Sequence, residues 1–276
     1  MNRRNFLRLL AYSSPVAALA YGFAETGAVR IERREVALPN LPRSFDGTTV
    51  AFLTDIHYGP YVSLNQVTAF VRTALALQPD LILLGGDYCL RDGKFIDPCF
   101  DVLASLRAPL GVYGVLGNHD YWHGETATKS AMARAGIEEL TNCGVWLKRG
   151  HDRLRVAGVD DLWCGRTDVG EALADTKPTD ACVLLSHNPD VAETMLDTRV
   201  GLMLSGHTHG GQLSMKGLTN PFVPSRYGMK YAHGLVDAPA TKVYVSRGLG
   251  VTGVPVRYNC PPEISLITLR QSESQA

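Results

Sequence analysis

The sequence predicts an α/β protein built on a largely parallel sheet, and three observations carry that reading. Short runs of consecutive large apolar residues, of which Leu81-Ile82-Leu83-Leu84 is the clearest, read as strands buried on both faces. Segments with apolar residues at helical spacing lie between several of these runs, as in Leu64 to Leu77. Five of the runs end in polar, chemistry-bearing residues, and open α/β sheets hold their ligands at the carboxyl ends of strands.

Each element has its own justification. Val29 to Leu38 alternates loosely among charged residues and suits an edge strand; Pro39 and Pro42 then break the chain before a strand over Thr48 to Thr54. The helix from Leu64 to Leu77 places Leu64, Val67, Phe70, Val71, Ala74 and Leu75 on one face and is closed by Pro79. After Leu81 to Leu84, Gly85-Gly86 turns the chain sharply into Asp87. A helical stretch over Pro98 to Leu106 leads to a strand over Gly111 to Gly117 that ends in Asn118-His119-Asp120, and Thr126 to Ala135 reads as helix stopped by Gly136. Val145 to Lys148 and Leu154 to Gly158 form an antiparallel pair, followed by a short helix at Glu171 to Ala174. Strands at Cys182 to Leu185 and Gly201 to Leu204 flank a helix at Val191 to Leu196, and strands at Val243 to Ser246 and Ile264 to Leu269 close the core. Residues 214–238, rich in Pro, Gly and aromatics without a period, read as a loop walling a site.

With 276 residues, no internal repeat and no linker, the chain is long enough for a sizeable core, and residues 25–276 read as a single catalytic domain with its core at about 48–270. The formal charge is zero, so no nucleic acid or other polyanionic partner is expected. Six scattered cysteines with no Cys-x-x-Cys pair argue against a disulfide scaffold or a cysteine zinc site, and most read as packing residues.

Residues 1–24 differ from the rest. Arg3-Arg4 precedes a mildly hydrophobic stretch, no acid appears before Glu25, and both Ala18-Leu19-Ala20 and Gly22-Phe23-Ala24 offer cleavage patterns. The segment resembles a twin-arginine export signal, with retention as an N-terminal anchor the alternative. The expected location is therefore outside the cytoplasm, in the periplasm, in the cell wall or on a membrane. Removal would leave 24 basic and 27 acidic residues, a net of −3.

The polar strand ends are Asp55 and His57, Asp87, Asn118 and His119, His187, and His207 and His209. Crossover connections place such ends on one sheet edge, and the one-residue spacing of Asp55/His57 and of His207/His209 puts each pair on one side of an extended segment. Nitrogen and oxygen donors without thiolate suit zinc, manganese or iron. Seven candidate ligands (Asp55, His57, Asp87, Asn118, His187, His207 and His209) exceed one tetrahedral ion and fit two ions sharing a carboxylate.

Asp55-x-His57, Gly86-Asp87, Gly117-Asn118-His119-Asp120, His187 and Gly206-His207-x-His209 resemble the five signature blocks of the calcineurin-like metallophosphoesterases, over about Val50 to Leu269. The N-terminal segment, Gly158-Val159-Asp160-Asp161 and Ser246-Arg247-Gly248-Leu249-Gly250 resemble a bacterial subgroup of exported or membrane-associated phosphoesterases, some regarded as UDP-2,3-diacylglucosamine hydrolases of lipid A synthesis. The resemblance implies a four-layer α/β/β/α sandwich of two mixed sheets flanked by helices. It implies that Asp55, His57 and His209 hold one divalent ion and Asn118, His187 and His207 the other, with Asp87 bridging. It also implies that His119 faces the substrate as a catalytic group and that Asp120 holds His119 in position. The reaction expected is hydrolysis of a phosphoester by a metal-activated hydroxide, with His119 assisting the leaving group. A pyrophosphatase acting on a lipid headgroup is the first alternative, and a silent metal-binding scaffold the second. The expected partner is a phosphorylated small molecule or a lipid-linked substrate. Tyr58, Trp122, Phe222, Tyr227 and Tyr231 are either the lining of an apolar groove or ordinary packing.

Overall fold

In the computed structural model, which describes residues 15–214 and 222–272, the apolar runs become short strands whose alternation sets the layering. In β2 (Thr49–Leu53), Val50 and Phe52 enter one core while Ala51 and Leu53 enter another. The same split divides Leu81 and Leu83 from Ile82 and Leu84 in β3 (Leu81–Leu84). Successive side chains of a strand point to opposite faces, so a strand that is apolar throughout has to be covered on both.

The first sheet runs in the order β1 (Arg30–Leu38), β12 (Glu263–Gln271), β2, β3, β4 (Val112–Gly114), β5 (Glu138–Glu139). Pairing is parallel from β2 to β5 and antiparallel only between β12 and β2. The second sheet runs β10 (Gly234–Asp237), β11 (Lys242–Val245), β9 (Leu202–Ser205), β8 (Cys182–Leu185), β7 (Asp152–Gly158), β6 (Cys143–Arg149). It is parallel from β11 to β7 and antiparallel at both margins.

One core joins the two sheets, with Val50, Phe52, Leu81 and Leu83 meeting Val156, Val183, Leu185, Leu202 and Leu204. On the outer side of the first sheet pack α2 (Leu64–Ala76), α3 (Ile96–Leu103) and α4 (Asn118–Arg134). The outer side of the second sheet is covered by α5 (Val169–Ala172), α6 (Val191–Thr194) and Tyr231. The expected α/β/β/α order is thereby met. The predicted helix over 64–77 is present, opened by a capping box between Ser63 and Gln66.

Other expectations shift. Asn118, His119 and Asp120 do not extend a strand; they form the first turn of α4, because Gly117 caps it and the Asp120 carboxylate accepts the Gly117 N–H. The helix kinks at Gly124, so the apolar period becomes readable only near Thr126. The supposed loop 214–238 contains a 3-10 turn over Gly228–Tyr231 and the edge strand β10; residues 215–221 lie outside the described residues. Of the cysteines, Cys143 is exposed and Cys164 half-buried, so four of the six are packing residues.

The expected break between residues 24 and 25 falls inside a helix, α1 (Pro15–Thr26). That helix docks on the segment before β12. The Gly22 carbonyl accepts the Arg257 N–H at 3.1 Å, and the buried Glu25 carboxylate accepts the Cys260 N–H at 3.2 Å. No helix among the described residues is long and apolar enough to cross a membrane.

Candidate metal centre

All the expected ligands lie just beyond the carboxyl ends of β2, β3, β4, β8 and β9, and all are buried. The parallel strands of both sheets bring these ends to one edge of the molecule, and Asp55, His57, Asp87, Asn118, His187, His207 and His209 come together there.

The local backbone differs from the extended geometry expected. Asp55, His57, Asp87, His207 and His209 have φ of 52, 50, 57, 68 and 52°. This left-handed region is rare for side-chain-bearing residues, and Asp and His are among those that tolerate it best. The Asp55/His57 and His207/His209 pairs converge through successive turns rather than through a pleat. Gly86, at φ 89°, brings its backbone so close to Gly117 that a Cβ would lie 2.4 Å from the Gly117 nitrogen.

Two clusters of donors meet at Asp87. On one side, His57 Nε2 and His209 Nε2 face each other at 3.1 Å, with Asp55 Oδ1 3.2 Å from His209 Nε2. On the other, His187 Nε2 and His207 Nδ1 are 3.3 Å apart. Asp87 Oδ2 lies between them, 3.5 Å from His57 Nε2 and 3.3 Å from His187 Nε2. Asp87 Oδ1 accepts the His119 backbone N–H at 2.8 Å, which fixes the carboxylate. His187 Nδ1 lies 2.7 Å from the Gly85 carbonyl; donation there leaves Nε2 with its lone pair, the usual arrangement of a metal-ligating histidine. Asn118 Oδ1 is buried without a hydrogen-bond partner among the described residues. Ring nitrogens facing one another and an unpartnered amide oxygen fit divalent cations, because lone pairs so arranged repel unless a cation or proton lies between them.

The charges interlock. Burial alone would raise the Asp87 carboxyl, but His187 and then His57 hold it well below the usual carboxylate range. Burial likewise opposes the charged form of His187, and Asp87 overrides it, pushing the imidazole well above its usual range. Burial, reinforced by His187, pushes His207 down to about 3. His57 is also held well below the imidazole range, mainly by burial.

Asp120 departs from expectation. Its carboxylate does not meet the ring of His119; it accepts the backbone N–H groups of Asp87 at 2.7 Å, Tyr88 at 3.0 Å and Gly117 at 2.9 Å. It ties the turn after β3 to the start of α4, and burial and then Asp87 push it up to about 7 against those donors. The ring of His119 instead meets His123, with Nδ1 3.2 Å from His123 Nε2, and Trp122 packs edge-on to it.

Several contributors lie outside the five ligand-bearing blocks. Behind the ligands, the backbone N–H groups of Leu249 and Gly250 donate to the carbonyls of Thr54 and Asp55. Arg257, fully buried, donates to the carbonyls of Arg247, Gly248, Gly250 and Cys260 and lies 3.4 Å from His209 Nδ1. Trp163 stands edge-on to His207, its centroid 4.3 Å from that ring. Of the aromatic candidates, Tyr231 is core, Tyr58 packs on Phe95 and Tyr227 on Tyr231, while Trp122 flanks His119 and Phe222 lines a small groove.

A family model, calcineurin-like phosphoesterase, matches residues 48–211. The chain belongs to the calcineurin-like phosphoesterase family. Within it, the chain is 31% identical to an uncharacterized metallophosphoesterase, YkuE, of Bacillus subtilis, over 99% of both chains. It is 34% identical to the phosphodiesterase YaeI of Escherichia coli, over 80% of this chain and 81% of that one. Among solved structures it is similar to a 5'-nucleotidase precursor from Thermus thermophilus, with 17% identity and a TM-score of 0.48 over 73% of this chain and 49% of that one. As a calcineurin-like phosphoesterase, the chain has Asp and His clusters of the kind that hold divalent metals.

Proposed function

We propose that this calcineurin-like phosphoesterase hydrolyses phosphoesters with two divalent ions. Asp55, His57 and His209 hold one, Asn118, His187 and His207 the other, and Asp87 bridges them. The observation that carries this reading is the placement of a single oxygen, Asp87 Oδ2, between the two donor clusters. When bound, the ions offset the charge of the phosphoryl oxygens and acidify a water to serve as nucleophile. His119 is close enough to His57 and Asp87 to act at the same point, and it donates a hydrogen bond or proton to the leaving oxygen. Asp120 fixes the turns that carry Asp87 and Asn118. No serine or cysteine nucleophile enters the scheme.

The test is a panel of substrates on protein reconstituted with manganese, zinc or iron. Nitrophenyl mono- and diesters should be turned over in a metal-dependent way, with the likeness to a phosphodiesterase favouring diesters. No turnover of any ester with any of these metals would overturn the proposal.

A second reading, a pyrophosphatase acting on a lipid-linked substrate, draws support from a groove of about 220 Å³ that reaches His209 and is lined by Leu213, Phe222, Pro224 and Val254. Preference for a UDP-linked acylated sugar over nitrophenyl esters would establish it, and equal or lower rates would remove it. The twin-arginine reading belongs with this proposal, and the docking of α1 favours retention of the helix over its removal. Residues 1–30 fused to a reporter active only outside the cytoplasm should export it, and Arg3→Lys with Arg4→Lys should stop export. Unchanged export in the double variant would overturn the twin-arginine reading and leave a general secretory signal or an anchor.

A further inference from the structure

We infer that His123 is the positioning residue for His119, fixing which ring nitrogen of His119 serves the leaving group. The inference rests on the proposed function for its catalytic meaning and on geometry alone for its structural content.

Two contacts determine the proton positions. The Arg91 backbone N–H donates to His123 Nε2 at 2.9 Å, and an amide can only donate, so this nitrogen carries a lone pair. His119 Nδ1 lies 3.2 Å from the same nitrogen. The one lone pair of that nitrogen is then shared between two donors, and a bond to His119 requires that His119 Nδ1 bear the proton. Nδ1 is thereby occupied, and Nε2 is the His119 nitrogen left for a mobile proton. Burial lowers His123 from the usual imidazole range, which keeps it neutral and able to accept.

Local structure explains why this partner is available. Positions four apart share a helix face, so His119 and His123 stack along the first turns of α4. Gly124 breaks the helical path immediately afterwards, with φ 141°. Arg91 reaches His123 from the turn that follows Asp87, and its guanidinium donates to Tyr61 Oη at 2.7 Å. His123 thus joins the segment bearing the bridging carboxylate to the helix bearing His119. Trp122 and His57 meet the same ring edge-on, at centroid distances of 4.8 Å each, and limit its rotation. The nearby carboxylate, Asp120, is engaged by backbone N–H groups and is not a partner of this ring.

The test separates positioning from folding with two variants. His123→Leu removes the acceptor at similar volume, whereas His123→Gln supplies an amide oxygen to both donors. Nitrogen-15 resonances of metal-free wild-type protein should show His119 with the proton on Nδ1. His123→Gln should keep that pattern and His123→Leu should lose it. A wild-type ring protonated on Nε2 alone, or a pattern unchanged in His123→Leu, would overturn the inference whatever the enzyme's activity. On reconstituted protein, His123→Leu should lose about 10- to 100-fold on an ester with an alkyl leaving group, the scale set by losing a ring-orienting partner. It should lose far less on a nitrophenyl ester, whose leaving group needs little acid, and His123→Gln should recover most of the alkyl-ester rate. Equal losses on both esters, or no recovery with glutamine, would also overturn it. Absence of all hydrolysis by wild-type protein would overturn the proposed function, and the resonances would still decide the tautomer.

Discussion

On the buried side of the metal centre stand Ser246, Gly248, Leu249, Gly250 and Arg257, closed to solvent and bonded almost wholly through backbone carbonyls and N–H groups. On the open side stand His119, Trp122, His123 and Trp163, of which the two tryptophans are about half exposed. The buried wall meets the candidate ligands at their backbone and at the His209 ring, so it acts on them by placing them. The open wall meets whatever enters. Under the proposed function, the difference would assign metal affinity to one wall and leaving-group chemistry to the other.

The largest effect should come from Asp87, which belongs to neither wall. Asp87→Asn should lower occupancy of both ions and nearly abolish hydrolysis; elemental analysis showing two ions and normal turnover would end the bridging assignment. Next, His119→Ala should retain both ions and lose on the order of 10²–10⁴ in turnover if the ring is a general acid. The loss should be greatest on alkyl esters, and loss of an ion instead would move His119 into the ligand set. On the buried wall, Gly248 has φ 69°, and a Cβ there would lie 2.6 Å from Asp55 Cβ. Gly248→Ala should therefore cost about 1–3 kcal/mol of stability and weaken metal binding, read from the denaturant midpoint and a metal titration. The smallest effect should come from the outer support of that wall. Glu25→Ala removes the acceptor for the Cys260 N–H and the Tyr21 hydroxyl and should cost about 1 kcal/mol. Nitrophenyl-ester turnover should be unchanged, and a large fall there would mean that α1 reaches the chemistry through Arg257.

The two walls were unequally legible. The ligands could be read because each follows a short strand, most of them continuous apolar runs, the mark of a strand buried on both faces. The open wall was half-read. His119 stood in a recognisable block, but His123 becomes its partner only if α4 starts at Asn118, and the Gly124 kink hides that start from any helical period. Asp120 was given to the ring next to it in sequence, whereas three backbone donors hold it. Arg257 left no trace, since a lone arginine among loop residues looks like a surface group. β5 and β10 escaped because a two-residue acidic strand and a half-exposed edge carry no buried period.

The left-handed backbone at five of the ligands has a consequence for engineering. A designer who copied Asp-x-His onto the tip of an ordinary strand would reproduce the letters and lose the geometry, because regular pleating aims the two side chains along parallel lines and not at a common point. Each such residue stores about 1–3 kcal/mol of conformational strain, which its surroundings must overcome. The transplantable unit is therefore the three-residue turn together with the glycine-bearing segment pressed against it, and a graft lacking that segment should relax to the extended form and bind nothing.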